Sequence, residues 1–258
     1  MKSGKVNVGD VAIHYVEQDA GVPVLYVHGN TGSLRWFDRV MQIKDAKTTA
    51  LDMPNFGQSD PLHGAPDIDT YADAVDAFIT CQAMDRPILV GHSLGGAVAI
   101  SLAARFPRRF RGLVLVDSAA PSGLVTPKEH HPLIEMMRTN REVLAQALRA
   151  VVPTLKDEPF FNLLVDDAAK MAPAAWVGNA EALGRFDYRG RCAAFNGPVL
   201  VIWGRKDVIV TEAMARETAD AFPHARLTIL ESVGHSVVVE DPAVFTGHLE
   251  EFIRTQAG

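Results

Sequence analysis

Six short apolar runs punctuate this chain, and none of them alternates: Val24–Val27, Thr48–Leu51, Ile88–Val90, Leu113–Val116, Val199–Trp203 and Leu227–Leu230. A strand with one wet face alternates apolar and polar residues. A strand covered on both faces is apolar throughout, and such strands belong to parallel sheets flanked by helices. Helical patterns fill most of the intervals. In Asp69–Met84 the residues Tyr71, Ala74, Val75, Phe78 and Ile79 fall on one stripe. Thr70, followed three residues on by Asp73, has the form of a capping box. Further helices are read at Leu94–Phe106, halted by Pro107, at Thr211–Phe222, halted by Pro223, and at Pro242–Thr255. Strands alternating with helices specify an α/β fold with a largely parallel sheet. Ahead of it, Lys5–Val8 and Val11–Glu17 flank Gly9-Asp10 as a hairpin.

The alternation stops from about Pro121 to about Asp187. That segment holds no good strand but four helical patterns, roughly Glu129–Thr139, Arg141–Val152, Glu158–Met171 and Pro173–Gly184. We therefore read residues 1–120 and 188–258 as one α/β core. Residues 121–187 are read as a helical cap over the strand C-termini, the edge where open α/β sheets bind ligands.

At 258 residues the chain can bury a large core without disulfides, and its two cysteines, Cys81 and Cys192, are read as free thiols. A net charge of −6 offers no field to draw nucleic acid or anionic membrane. The basic cluster Arg105, Arg108, Arg109 and Arg111 is short and reads as solvated surface. No apolar run is long enough to span a membrane, and the first residues lack the apolar segment of a secretory signal. The expectation is a cytoplasmic protein with no nucleic-acid or membrane partner. His130-His131 has no carboxylate or Cys at ligand spacing, so no metal is expected there.

The chemistry centres on Gly91-His92-Ser93-Leu94-Gly95-Gly96, which joins the strand Ile88–Val90 to a helix. G-x-S-x-G in that setting holds a serine on a sharp turn with its hydroxyl clear of the sheet. Gly91 and Gly95 lie where a Cβ would collide as the helix folds back. The helix N-terminus adds free N–H groups and a positive dipole end beside the oxygen.

A nucleophilic serine needs a base, and the base needs an orienting acid. Val199–Trp203 ends in Gly204-Arg205-Lys206-Asp207, and Leu227–Leu230 ends in Glu231-Ser232-Val233-Gly234-His235. Both segments reach the sheet edge that holds Ser93. Among nine histidines, His235 has the right chain position, a preceding Gly and a following helix. Asp207 is the candidate acid; Asp117, at the end of Leu113–Val116, is its rival. The oxyanion that forms during acyl transfer needs donors. These are assigned to the backbone N–H of Leu94 and to that of Asn30, in His28-Gly29-Asn30-Thr31-Gly32-Ser33.

Together these segments resemble the α/β-hydrolase superfamily across nearly the whole chain. HGNTGS resembles its oxyanion loop, VGHSLGG its nucleophile elbow, and VLVIWGRKD and VGHSVVVEDP its acid and histidine segments. Asp52–Asp60 resembles its D-x-P-G-x-G-x-S turn, with Asn55 in place of the first Gly, a residue that tolerates left-handed backbone. The resemblance implies an eight-stranded, mostly parallel sheet with its second strand antiparallel and a cap between strands six and seven. It also implies a Ser93–Asp207–His235 triad working without cofactor, and a structural role for Glu240. Dehalogenases and most epoxide hydrolases of this type have Asp as nucleophile, where this chain has Ser93. Carbon–carbon bond hydrolases typically have Asn before the serine and Trp after the histidine, where this chain has His92 and Ser236. The expected substrate is therefore a small to medium, largely apolar carboxylic ester or lactone. Thioester hydrolysis, carbon–carbon hydrolysis and a cofactor-free lyase share the same triad, and a ligand receptor on this fold is the non-enzymatic alternative.

For the substrate pocket, the candidate lining residues are His92, Phe160, Trp176, Val237 and Val238. Arg138, Arg141 and Arg185 are the cap residues that could clamp a charged substrate.

Overall fold

The computed structural model describes residues 1–18 and 20–256; Asp19 and residues 257–258, within the span read as core, lie outside the described residues. The hairpin forms as read, β1 (Lys2–Val8) with β2 (Val11–Gln18), turning at Gly9 with φ +58°. The six apolar runs become β3 (Val22–Val27), β4 (Ala46–Leu51), β5 (Ile88–His92), β6 (Gly112–Val116), β7 (Val199–Gly204) and β8 (Ala225–Leu230). Among the described residues they and the hairpin make one eight-stranded sheet in the order β1-β2-β4-β3-β5-β6-β7-β8. Only β1–β2 and β2–β4 pair antiparallel, so β2 runs against the rest. Every residue of β5, β6 and β7 is buried, which is why their sequences carry no alternation. The last run departs from that reading. β8 is only half-buried, because it is the edge strand.

Helices α1 (Ile68–Cys81) and α2 (Leu94–Arg105) pack against each other and the sheet. The start of α1 corrects the capping-box reading. Asp67, in extended backbone, accepts from Asp69 N–H, and Thr70 lies inside the helix. The helix also stops three residues early. Ala83 takes φ +48° and donates to the Thr80 carbonyl while Met84 donates to that of Ile79, a Schellman turn built on Ala.

Between β6 and β7 come α3 (His131–Thr139), α4 (Arg141–Val151), α5 (Glu158–Ala168) and α6 (Ala175–Arg185). After β7 come α7 (Glu212–Asp220), the short α8 (Val237–Glu240) and α9 (Pro242–Gln256). Leu34–Val40 winds as a 3-10 helix that has no long periodic pattern to announce it; it buries Trp36, Phe37 and Val40. In the basic cluster, Arg105 pairs with Asp73 and Arg109 with Asp76 of α1, so both charges are matched locally. Among the described residues no helix is long and apolar enough to cross a membrane.

Candidate active site

Ser93 sits between β5 and α2 with φ +54° and ψ −116°. That is a strained conformation for a residue with a side chain. Glycines permit it. A Cβ on Gly91 would lie 2.4 Å from the Gly95 carbonyl oxygen, and one on Gly95 would lie 2.2 Å from that of Val27. The Ser93 hydroxyl is left to its neighbours.

The neighbour is His235, whose Nε2 lies 2.9 Å from Ser93 Oγ. On the other side of the ring, Nδ1 lies 2.7 Å from Asp207 Oδ2. With Nδ1 donating to the carboxylate, the Nε2 lone pair faces the serine proton. Asp207 Oδ1 is held by two backbone donors, Ile209 N–H at 2.6 Å and Val210 N–H at 3.0 Å. The Asp207 side chain is 0% exposed and that of His235 6%. The loops after β7 and β8 press together so closely that a Cβ on Gly204 would lie 2.0 Å from the Gly234 carbonyl oxygen. Burial by itself disfavours the imidazolium of His235. The charge and hydrogen bond of Asp207 outweigh it, with Asp117 and Glu240 behind, and the pKa stands above its ordinary value.

Asp117 is placed otherwise. Its Oδ1 accepts from Gly204 N–H at 2.9 Å, and its buried Oδ2 has no partner among the described residues. Burial pushes its pKa well above the carboxylate range, and the nearby Asp207 adds to the rise. Asp117 thus spends its hydrogen bond on Gly204 N–H and makes none to the imidazole, whereas Asp207 is within hydrogen-bond distance of it.

Three further groups hold His235. His235 N–H donates to the Val151 carbonyl of α4 at 2.9 Å. Glu240 Oε1 accepts from Gly234 N–H at 2.9 Å and Ser236 N–H at 3.1 Å, bracketing the histidine. Its Oε2 accepts from the Thr154 hydroxyl at 2.6 Å and Thr154 N–H at 3.1 Å. His92 stacks on Trp36, ring centroids 5.4 Å apart, and bonds the His235 main chain.

The candidate oxyanion donors lie at the head of α2 and in the loop after β3. Leu94 opens α2, where N–H groups have no acceptor within the helix. Asn30 N–H donates to no atom of the described residues. His28 is structural: Nδ1 donates to the Gly29 carbonyl at 2.8 Å, and Nε2 accepts from Met53 N–H at 3.0 Å. Asn55 adopts φ +75°, as its place in the turn requires.

Ser93 and His235 open into a cavity of about 260 Å³, also lined by Asn30 and His92. Its apolar wall comes from Trp36, Leu124, Ile134, Met137, Leu148 and Leu183. Of the five residues expected to line the pocket, His92 does. The other four do not, because packing claims them. Val237 and Val238 of α8 are wholly buried. Trp176 turns into the core and donates from Nε1 to the Met171 carbonyl at 3.2 Å. Phe160 lies beneath the Arg39 guanidinium, 4.0 Å from its ring centroid. Arg138, Arg141 and Arg185 also lie outside the lining. Arg138 pairs with Glu135, Arg141 with Asp166 and Arg185 with Glu181. The residues missed include Trp36, Leu124, Leu148, Leu183 and the inward face of α3. Spacing could not have singled out Ile134 and Met137, because Leu133 and Met136 repeat the same interval on the exposed side of the helix.

A family model described as "Alpha/beta hydrolase family" matches residues 24–247. A dihydrolipoyllysine-residue acetyltransferase component of an acetoin cleaving system from Pseudomonas putida is 27% identical, over 97% of this chain and 69% of its own. A pimeloyl-[acyl-carrier protein] methyl ester esterase from Neisseria meningitidis is 29% identical, over 91% of this chain and 94% of its own. The crystal structure of an enol-lactonase from Burkholderia xenovorans superposes with a TM-score of 0.88 at 22% identity, covering 97% of this chain and all of the other.

Proposed function

This chain belongs to the alpha/beta hydrolase family, and from that premise we propose that it is a serine hydrolase of small, largely apolar carboxylic esters or lactones. The observation that carries the reading is the hydrogen-bonded line Ser93–His235–Asp207 opening into a small apolar cavity. The esterase and lactonase activities named for the Neisseria relative and the Burkholderia structure lend it support.

In the first step His235 Nε2 takes the Ser93 proton as Oγ attacks the carbonyl carbon. Asp207 holds the imidazole tautomer and stabilises the imidazolium. The Asn30 and Leu94 N–H groups receive the oxyanion; one such donor is worth about 2.7–4 kcal/mol in the transition state. The tetrahedral intermediate collapses, and His235 gives its proton to the departing alkoxide. Water then enters, loses a proton to His235 and attacks the acyl-enzyme. Collapse frees the acid, and His235 returns its proton to Ser93 Oγ. Residues 121–187, which supply much of the cavity wall, act as the cap that sizes the substrate.

The test is hydrolysis of p-nitrophenyl esters from acetate to laurate, and of simple lactones, by wild type and Ser93→Ala. Turnover by wild type that the variant lacks is the expected result. A variant as active as wild type would remove Ser93 from the chemistry, and inactivity of wild type on every ester and lactone would remove the substrate class.

A further inference from the structure

Four buried or half-buried side chains form a hydrogen-bond chain that ends on the loop carrying Asn30. It begins at the backbone. Leu62 N–H donates to Asn55 Oδ1 across 2.8 Å. A peptide N–H only donates, so the Asn55 carboxamide has one orientation, with Nδ2 turned to the Tyr71 hydroxyl at 2.8 Å. The hydroxyl accepts there and donates onward to Asn179 Oδ1, 2.9 Å away. Asn179 Nδ2 is then left to donate to Asn30 Oδ1 at 2.8 Å. Each link fixes the next, so one main-chain N–H sets the orientation of every amide as far as Asn30. Asn55, Tyr71 and Asn179 are buried, which shields these bonds from bulk water.

The loop needs such an anchor. Thr31 is β-branched yet holds φ +54°. A Cβ on Gly29 would lie 2.8 Å from Ser93 Cβ, so the loop is pressed against the nucleophile. Asn179 comes from α6, between β6 and β7. At the adjacent Gly178 the helix approaches Pro66 so closely that a Cβ would lie 2.7 Å from its Cδ.

Resting on the serine-hydrolase reading above, we propose that Asn179 is a positioning residue. Through Asn30 Oδ1 it fixes the Asn30 peptide whose N–H receives the oxyanion, and Tyr71 and Asn55 set its direction. The inserted helices thus complete the oxyanion site as well as covering the cavity.

The experiment is the rate at which a fluorophosphonate labels Ser93. Oγ attacks phosphorus, fluoride leaves, the serine proton passes to His235, and the charge gathering on the phosphoryl oxygen needs the same N–H donors. Wild type is compared with Asn179→Ala, Asn30→Ala, their double variant, and Tyr71→Phe alone and with Asn30→Ala. Asn179→Ala is expected to slow labelling by roughly tenfold, one hydrogen bond's worth. Tyr71→Phe, the milder change should Asn179→Ala fold poorly, is expected to slow it severalfold. Neither should slow labelling further once Asn30 is Ala. Effects that multiply in that background would mean that Asn179 and Tyr71 only support the fold, and would overturn the proposal. Wild type that is not labelled, or Ser93→Ala that is, would instead overturn the serine-hydrolase reading and the proposal with it.

Discussion

His92 Nε2 donates to the main-chain carbonyl of His235 across 2.8 Å. A carbonyl only accepts, so the proton sits on Nε2 and Nδ1 is bare. His92 therefore steadies the peptide that carries the candidate base and stays neutral while doing so. Burial is the main reason, with the neighbouring His235 and His28 adding to it, and together they press its pKa from 6.5 down to about 3.

A histidine buried neutral weakens the fold in acid. The unfolded chain binds the His92 proton near 6.5, the folded chain only near about 3. The stability tied to His92 is thus full above 6.5 and is lost as pH falls toward the folded value. The slope approaches about 1.4 kcal/mol per pH unit. His28, lowered by burial, acts in the same sense. His92→Gln keeps an N–H donor within reach of the His235 carbonyl but does not titrate. Urea unfolding of the two proteins between about pH 7 and 5 should show a shallower loss of stability in the variant; equal slopes would contradict this.

The activity profile follows from His235. Under the serine-hydrolase proposal, its raised pKa predicts that hydrolysis climbs with pH through a midpoint above 6.5. In stability it opposes His92: its contribution is full below the unfolded value and is lost as pH rises through the folded one. Asp207→Asn removes the charge that most favours the imidazolium and the partner that sets the tautomer. The kcat/KM profile should shift its midpoint downward, and kcat should fall by about 10⁴.

Asp117→Asn separates the two carboxyl groups near the base. Burial raises the Asp117 pKa and its Oδ1 accepts from Gly204 N–H, a bond that an Asn carbonyl keeps. Asn also tolerates its φ of +44°. Activity is expected to stay within about threefold of wild type, far above that of Asp207→Asn. A loss comparable to that of Asp207→Asn would make Asp117 part of the proton-transfer machinery.

What could be read in advance follows from how local its cause is. Ser93, Asp207 and His235 each follow a strand whose mainly apolar run declares its end, so chain order and sheet edge coincide. The glycines around Ser93 are required by contacts within a few residues or with the adjoining strand. The cavity wall is different. Phe160 and Trp176 lie on helices whose inward face is decided by what they pack against, and Arg39 and Met171 claim them. Val237 and Val238 follow His235 directly, yet the turn of α8 points them into the core. Asn179 was invisible for the same reason, since its partners Asn30 and Tyr71 lie 149 and 108 residues away in the chain.

Cavity size should respond to its own lining. At about 260 Å³ the space falls just under the range typical of sites for drug-sized ligands, so short acyl groups should be preferred. Ala180, three residues before Leu183 on α6, also lines the cavity, with only a methyl side chain. Ala180→Leu adds three carbons to that wall and should move the optimum toward acetate, lowering kcat/KM for butyrate and longer esters more than for acetate. Leu183→Ala opens the same wall and should favour longer chains, at a loss of about 2–3 kcal/mol in stability because Leu183 is buried. The check is kcat/KM across p-nitrophenyl esters for both variants beside wild type. Parallel loss on every chain length, with no shift in optimum, would mean that the acyl group does not occupy this cavity.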